Sequence, residues 1–178
     1  EGAWGIADVE DTQQAIAYLA GQQKIDPKRC LIRGGSAGGY TVLSALTFTD
    51  TFKAGASLYG IGDLETLAKD THKFESRYLD SLIGPYPERR DIYLERSPIH
   101  HADGLNCPVI FLQGLEDKVV PPNQAEMMVK LLEDKGIQVG YVTFADEGHG
   151  FRKANNIIRA MEAELAFYRD VFSLKGKA

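Results

Sequence analysis

Basic runs, long apolar runs and cysteine clusters are all scarce in this sequence. No stretch of Lys and Arg exceeds two residues and the net charge is −5, so the electrostatic footprint of a nucleic-acid binder is missing, and nucleic acid is set aside as a partner. No apolar run approaches the roughly 18 residues needed to cross a bilayer, and no basic region followed by an apolar one opens the chain. No membrane partner is expected. There are two cysteines, Cys30 and Cys107, and no Cys-x-x-Cys or Cys/His ligand spacing, so neither a metal site nor a cofactor is expected. Each cysteine precedes an expected strand. With a further strand between them they stand about 9 to 10 Å apart, beyond disulfide reach. Buried free thiols suit a reducing compartment, and a cytoplasmic location is the expectation.

What is present reads as one globular domain. The 178 residues are 44% hydrophobic and 25% charged, enough to bury a sizeable core. No repeat, low-complexity segment or internal domain boundary stands out. The opening Glu1-Gly2-Ala3-Trp4-Gly5 reads like the middle of a longer protein.

Apolar spacing at Val9, Ile16, Leu19 and Ala20, with Asp8 as N-cap, predicts a helix over 9–22. Asp26-Pro27 turns the chain into a strand over 30–33. A glycine cluster interrupts that strand, and helical spacing follows from Ala37. Further strands are predicted at 54–58, 108–113 and 139–144, with helices at 123–135 and 155–172. Residues 63–101 offer helical pieces at 64–69, 75–83 and 88–96 and no strand, and so form a helical excursion over the upper edge of the sheet. Strands alternating with helices give an α/β class, a mostly parallel sheet of about four strands with helices on both faces.

The chain is organised around Arg29-Cys30-Leu31-Ile32-Arg33-Gly34-Gly35-Ser36-Ala37-Gly38-Gly39-Tyr40, with Ser36 at its centre. A Gly-x-Ser-x-Gly pattern between a strand and a helix is a nucleophile elbow, with the serine hydroxyl raised above the sheet edge. Gly34 and Gly38 are expected because a Cβ at either position would strike the neighbouring strand or helix. The pattern alone is weak, so its partners decide. Sites in parallel sheets lie beyond the carboxyl ends of the strands. Asp117 follows the 108–113 strand by four residues and His149 follows the 139–144 strand by five. A serine hydroxyl needs an imidazole to take its proton, and the imidazole needs a carboxylate on its other nitrogen. Ser36 is therefore the expected nucleophile, His149 the base and Asp117 its orienting carboxylate, in the α/β-hydrolase order. Glu116 rivals Asp117, and His72, His100 and His101 rival His149. The backbone N–H of Ala37 is the expected oxyanion donor. Tyr40, Tyr59 and Phe151 are candidates to line a substrate pocket.

These residues resemble the prolyl oligopeptidase family of serine peptidases, in its acylaminoacyl-peptidase and dipeptidyl-peptidase-like branches. The resemblance rests on Trp4-Gly5 with Asp8 and Asp11, the Gly-Gly-Ser36-Ala-Gly-Gly-Tyr40 elbow, and Ser97-Pro98-Ile99 with Ala102-Asp103. It also rests on Gln113-Gly114 with Asp117, Val120-Pro121-Pro122 with Gln124, and Glu147-Gly148-His149-Gly150-Phe151. It implies a truncated α/β-hydrolase fold, with residues 1–178 forming the C-terminal part of one catalytic domain. It also implies hydrolysis of short peptides through Ser36, Asp117 and His149. The second oxyanion donor is then expected upstream of Glu1. A carboxylesterase or lipase on the same fold, or an inactive folding or association module, are the alternative readings. Self-association, or pairing with an N-terminal half, is expected at the exposed edge of the elbow strand.

Overall fold

The computed structural model describes residues 2–70 and 77–174. His72, and the first part of the helical piece expected at 75–83, lie outside them. Helix α1 (Ala7–Gly21) and a 3-10 turn (Pro27–Arg29) lead to β1 (Leu31–Gly35) and α2 (Ala37–Phe48). Strand β2 (Ala54–Leu58) is followed by α3 (Leu64–Asp70), α4 (Tyr78–Leu82) and α5 (Arg90–Arg96). Then come β3 (Val109–Gly114), α6 (Asn123–Asp134), β4 (Val139–Phe144) and α7 (Ala154–Val171). The four strands form one parallel sheet in the order β1-β2-β3-β4.

Strand alternation divides the core between two faces. Val109 and Phe111 point toward α2 and α6, packing with Val42, Leu46, Met128 and Leu132. Ile110 and Leu112, one residue out of phase, point toward α7 and pack with Ala56, Leu58, Phe144 and Ala160. A central parallel strand buried on both sides reads as a continuous apolar run, as here. Met128 and Leu132 are completely buried, and each contributes about 1.5–3 kcal/mol by leaving water. A third cluster joins Leu64, Leu67, Leu79, Ile83 and Tyr93 to Tyr40 and Val120. The excursion therefore has its own small core, seated on the carboxyl-end loops of the sheet.

The boundaries shift where long-range partners intervene. The glycine cluster does not interrupt β1: Gly34 and Gly35 pair with Ser57 and Leu58, because the ladder needs only backbone groups. Asp8 does not cap α1. Ile6 holds that position, while the Asp8 carboxylate accepts from the Gly5 N–H at 2.6 Å and from the Thr41 hydroxyl. Of the apolar residues expected to face inward on α1, Val9 is buried and Ile16, Leu19 and Ala20 are half-covered. The helix lies beside β1, the end of the sheet, where Ile16 and Leu19 share an open groove with Leu31 and Phe172.

Candidate active site

Ser36 occupies a backbone conformation that L-residues rarely adopt, φ 56° and ψ −121°. Such a conformation costs on the order of 1–3 kcal/mol and persists only when the surroundings impose it. The constraint is two-sided. The Ser36 N–H donates to Leu58 O at 2.9 Å, and Ser36 O accepts from the Tyr40 N–H at 3.1 Å. The serine is thereby pinned to β2 on one side and to the first turn of α2 on the other. A Cβ on Gly34 would lie 2.4 Å from Gly38 O, so glycine is required there. Gly38 departs from expectation: a Cβ would meet nothing within 4 Å. The close approach on the helix side is instead at Gly39, where a Cβ would lie 2.6 Å from Gly60 Cα.

The Ser36 Oγ lies 2.8 Å from His149 Nε2, and His149 Nδ1 lies 2.8 Å from Asp117 Oδ2. An ionised carboxylate only accepts. Nδ1 therefore carries the hydrogen, and Nε2 is left to accept from the serine hydroxyl. Asp117 is 3% exposed. Its second oxygen accepts from the N–H groups of Val119 and Val120, both at 2.9 Å. Glu116, the rival carboxylate, is exposed, and its backbone N–H donates to Glu147 O at 3.0 Å. Gln113, fully buried, donates from Nε2 to Gly114 O and Val120 O at 3.0 and 3.2 Å, closing the loop that holds Asp117. Of the rival histidines, His101 sets its ring edge against Phe48 at 5.1 Å and holds Nε2 3.3 Å from Leu94 O, a packing position. His100 is exposed.

As the first residue of α2, Ala37 has an N–H with no acceptor inside its helix, beside the serine and at the positive end of the helix dipole. The pocket candidates separate. Tyr59 stacks edge-on against the His149 ring at 5.0 Å and against Phe151 at 5.4 Å. Both tyrosine and phenylalanine also line an open cavity of about 710 Å³ with Arg33, Leu58, Ile157 and Met161, on the α7 side of the sheet, whose walls do not include Ser36, Asp117 or His149. Tyr40 is not in a pocket wall. It is fully buried, packs on Trp4 at 4.3 Å between ring centroids, and donates its hydroxyl to Arg96 O at 2.9 Å. Burial raises its phenol to about 12.

Glu147 carried no expected role. It is 3% exposed, and its carboxylate accepts from Asn156 Nδ2, from the Lys153 N–H and from the Arg152 N–H. These donors hold the carboxyl below its usual range, Asn156 having the largest effect. The signal available was its place in the Glu147-Gly148-His149 run, two residues ahead of the expected base. Among the described residues, no group of three or more His, Cys, Asp or Glu side chains could hold a metal ion, and no helix is long and apolar enough to cross a membrane.

Four parallel strands with helices on both faces, and a serine on the turn after β1, define an α/β-hydrolase fold. Residues 1–175 match the prolyl oligopeptidase family. The chain belongs to that family. It is 50% identical to a puromycin-hydrolyzing peptidase of Mycobacterium tuberculosis, with a TM-score of 0.95 over 99% of this chain and 27% of that one. The acylaminoacyl peptidase of Pyrococcus horikoshii is 26% identical, with a TM-score of 0.88 over 98% of this chain and 29% of that one. Dipeptidyl aminopeptidase BIII of Pseudoxanthomonas mexicana is 33% identical over 161 residues, 87% of this chain and 23% of that protein. The chain thus spans about a quarter of the length of these relatives.

Proposed function

We propose that this chain carries the nucleophile, base and orienting carboxylate of a serine peptidase that cleaves short peptides. The observation that carries the reading is the unbroken hydrogen-bonded line from Ser36 through His149 to Asp117, 2.8 Å at each step. Ser36 Oγ attacks the substrate carbonyl carbon while its proton passes to His149 Nε2. The carbonyl electron pair moves to oxygen, and that oxyanion accepts from the Ala37 N–H. Collapse breaks the C–N bond, and the leaving amine takes the proton from Nε2. Water then repeats the sequence on the acyl-serine. Asp117 stays ionised throughout and stabilises the imidazolium. Tyr59, edge-on against the imidazole, and Phe151, packed on Tyr59, serve as the aromatic wall of the substrate site. Likeness to a puromycin-hydrolyzing peptidase and to acylaminoacyl and dipeptidyl peptidases supports amide rather than ester substrates. Peptide against p-nitrophenyl-ester turnover separates the two.

In the natural full-length polypeptide, a fluorophosphonate should label Ser36 alone. Ser36→Ala should abolish labelling and lower kcat by about a millionfold. A variant retaining a tenth of the activity would refute the assignment.

Residues 1–178 act, in this reading, as the C-terminal part of one hydrolase domain in the cytoplasm, with 63–101 shaping the approach to Ser36. The outer edge of β1 is then where a further strand pairs. Leu31 on that strand is 36% exposed, and open grooves run along it at Leu31 and at Arg33. The isolated 178 residues should self-associate through this edge. With one oxyanion donor instead of two, they should also turn over peptide roughly a hundredfold to a thousandfold more slowly than the full polypeptide. A stable monomer in light scattering at micromolar concentration would exclude the edge pairing, and an equal rate would exclude the missing donor.

A further inference from the structure

We propose that Glu147 is the positioning residue of His149, holding the imidazole in line between Ser36 and Asp117; this rests on the catalytic reading above. His149 sits between Gly148 and Gly150, the latter at φ +88°, so its own loop supplies little backbone stiffness. The stiffness comes from the residue before that pair. One Glu147 oxygen accepts from the Lys153 N–H and from Asn156 Nδ2, both at 2.9 Å, and the other accepts from the Arg152 N–H at 3.1 Å. These bonds close a ring of chain with His149 inside it. The backbone of the same residue fixes the ring to the Asp117 loop, because Glu147 O accepts from the Glu116 N–H at 3.0 Å. One side chain and one carbonyl thus set the height of the imidazole against the carboxylate it must face.

A helix cap is the simpler account of a carboxylate near the start of α7, and the donors argue against it. A capping side chain accepts from N–H groups inside the first turn. Here the backbone donors are Arg152 and Lys153, both ahead of Ala154, the first residue of α7. The bonds therefore close the histidine loop rather than the helix end. Charge alone does not explain the position either. Lys153 directs its ammonium to Asp146, which leaves the Glu147 carboxylate to the two backbone N–H groups and the Asn156 amide.

The test uses the natural full-length polypeptide. A carboxylate only accepts, whereas a glutamine amide must turn its NH₂ toward at least one of the three donors. Glu147→Gln should therefore loosen the loop without changing the shape of the side chain. An imidazole displaced by about 1 Å costs on the order of a hundredfold in rate. The expected result is a tenfold to hundredfold fall in kcat and in the fluorophosphonate labelling rate, with KM little changed and one labelled serine per chain at completion. A smaller labelled fraction with a normal rate per site would show a purely structural role and overturn the proposal. If Glu147→Gln does not fold, Asn156→Ala removes one donor from the same carboxylate and should slow labelling roughly twofold to tenfold. An unchanged rate in that variant overturns the proposal equally. Ser36→Ala in parallel keeps the two readings apart. Labelling that survives it overturns the catalytic assignment, whereas normal rates in the Glu147 and Asn156 variants overturn only the positioning role.

Discussion

Replacing Gly34 with alanine sets a methyl group 2.4 Å from Gly38 O, 2.5 Å from Gly38 C and 3.1 Å from Gly38 Cα. All three are backbone atoms, so no side chain can swing aside. Restoring ordinary contact, roughly 3.5 Å for carbon, requires the first turn of α2 to retreat by about 1 Å. Ser36 and the Ala37 N–H ride on that turn. The 2.8 Å contact from Ser36 to His149 would then stretch to about 3.5 Å or more, past useful hydrogen bonding. The expected cost is about a hundredfold in acylation rate, with overpacking lowering stability by about 1–3 kcal/mol. Gly38→Ala is the matched control. Its methyl group meets nothing within 4 Å, and alanine is a better helix former than glycine by up to about 1 kcal/mol. It should melt no lower than the parent and label within about threefold of its rate. Fluorophosphonate labelling kinetics and thermal melts on both variants decide the matter. Equal damage from the two substitutions, or a normal rate in Gly34→Ala, would refute the steric reasoning.

Two further predictions concern groups away from the serine. Glu65 accepts from Arg90 at 2.6 Å, Tyr86 at 2.9 Å and Lys69 at 3.0 Å, and these donors, Arg90 foremost, lower its carboxyl from 4.5 to about 2. Because the folded value lies below the unfolded one, the stability it adds is complete above about pH 4.5 and is lost as the pH falls toward 2. Glu65→Gln should flatten acid unfolding across that window, and an unchanged acid limb would show that the cluster contributes nothing. Burial raises the Cys107 thiol to about 11, so little thiolate exists at pH 8, and its reaction with iodoacetamide should be slow in the folded protein and speed up in denaturant. A fast folded-state reaction would contradict this.

Local chemistry made much of the architecture legible in the sequence. Apolar runs bounded by Gly, Pro and Asp placed all four strands within a residue or two, and helical spacing placed the helices around them, because both signals act between near neighbours. The elbow was legible for the same reason: strand, serine turn and helix are contiguous. Chain order and loop position were enough to pick out Asp117 and His149 as candidates. What the sequence could not decide was contact between distant segments. Asp117 faces the imidazole and Glu116 does not because two backbone N–H groups in its own turn hold one oxygen and aim the other. Tyr40 reads as a pocket residue beside the serine, yet the excursion packs over it and Arg96 O takes its hydroxyl. Gly34 and Gly38 look equivalent in the motif, but the α2 backbone crowds one and leaves the other in open space. Glu147 belongs to the histidine motif, but its role is not legible until the chain returns through Arg152, Lys153 and Asn156 to surround its carboxylate. Near-neighbour periodicity selects the elements. Their relative heights and orientations, fixed only when the sheet and its loops pack, select which side chains meet.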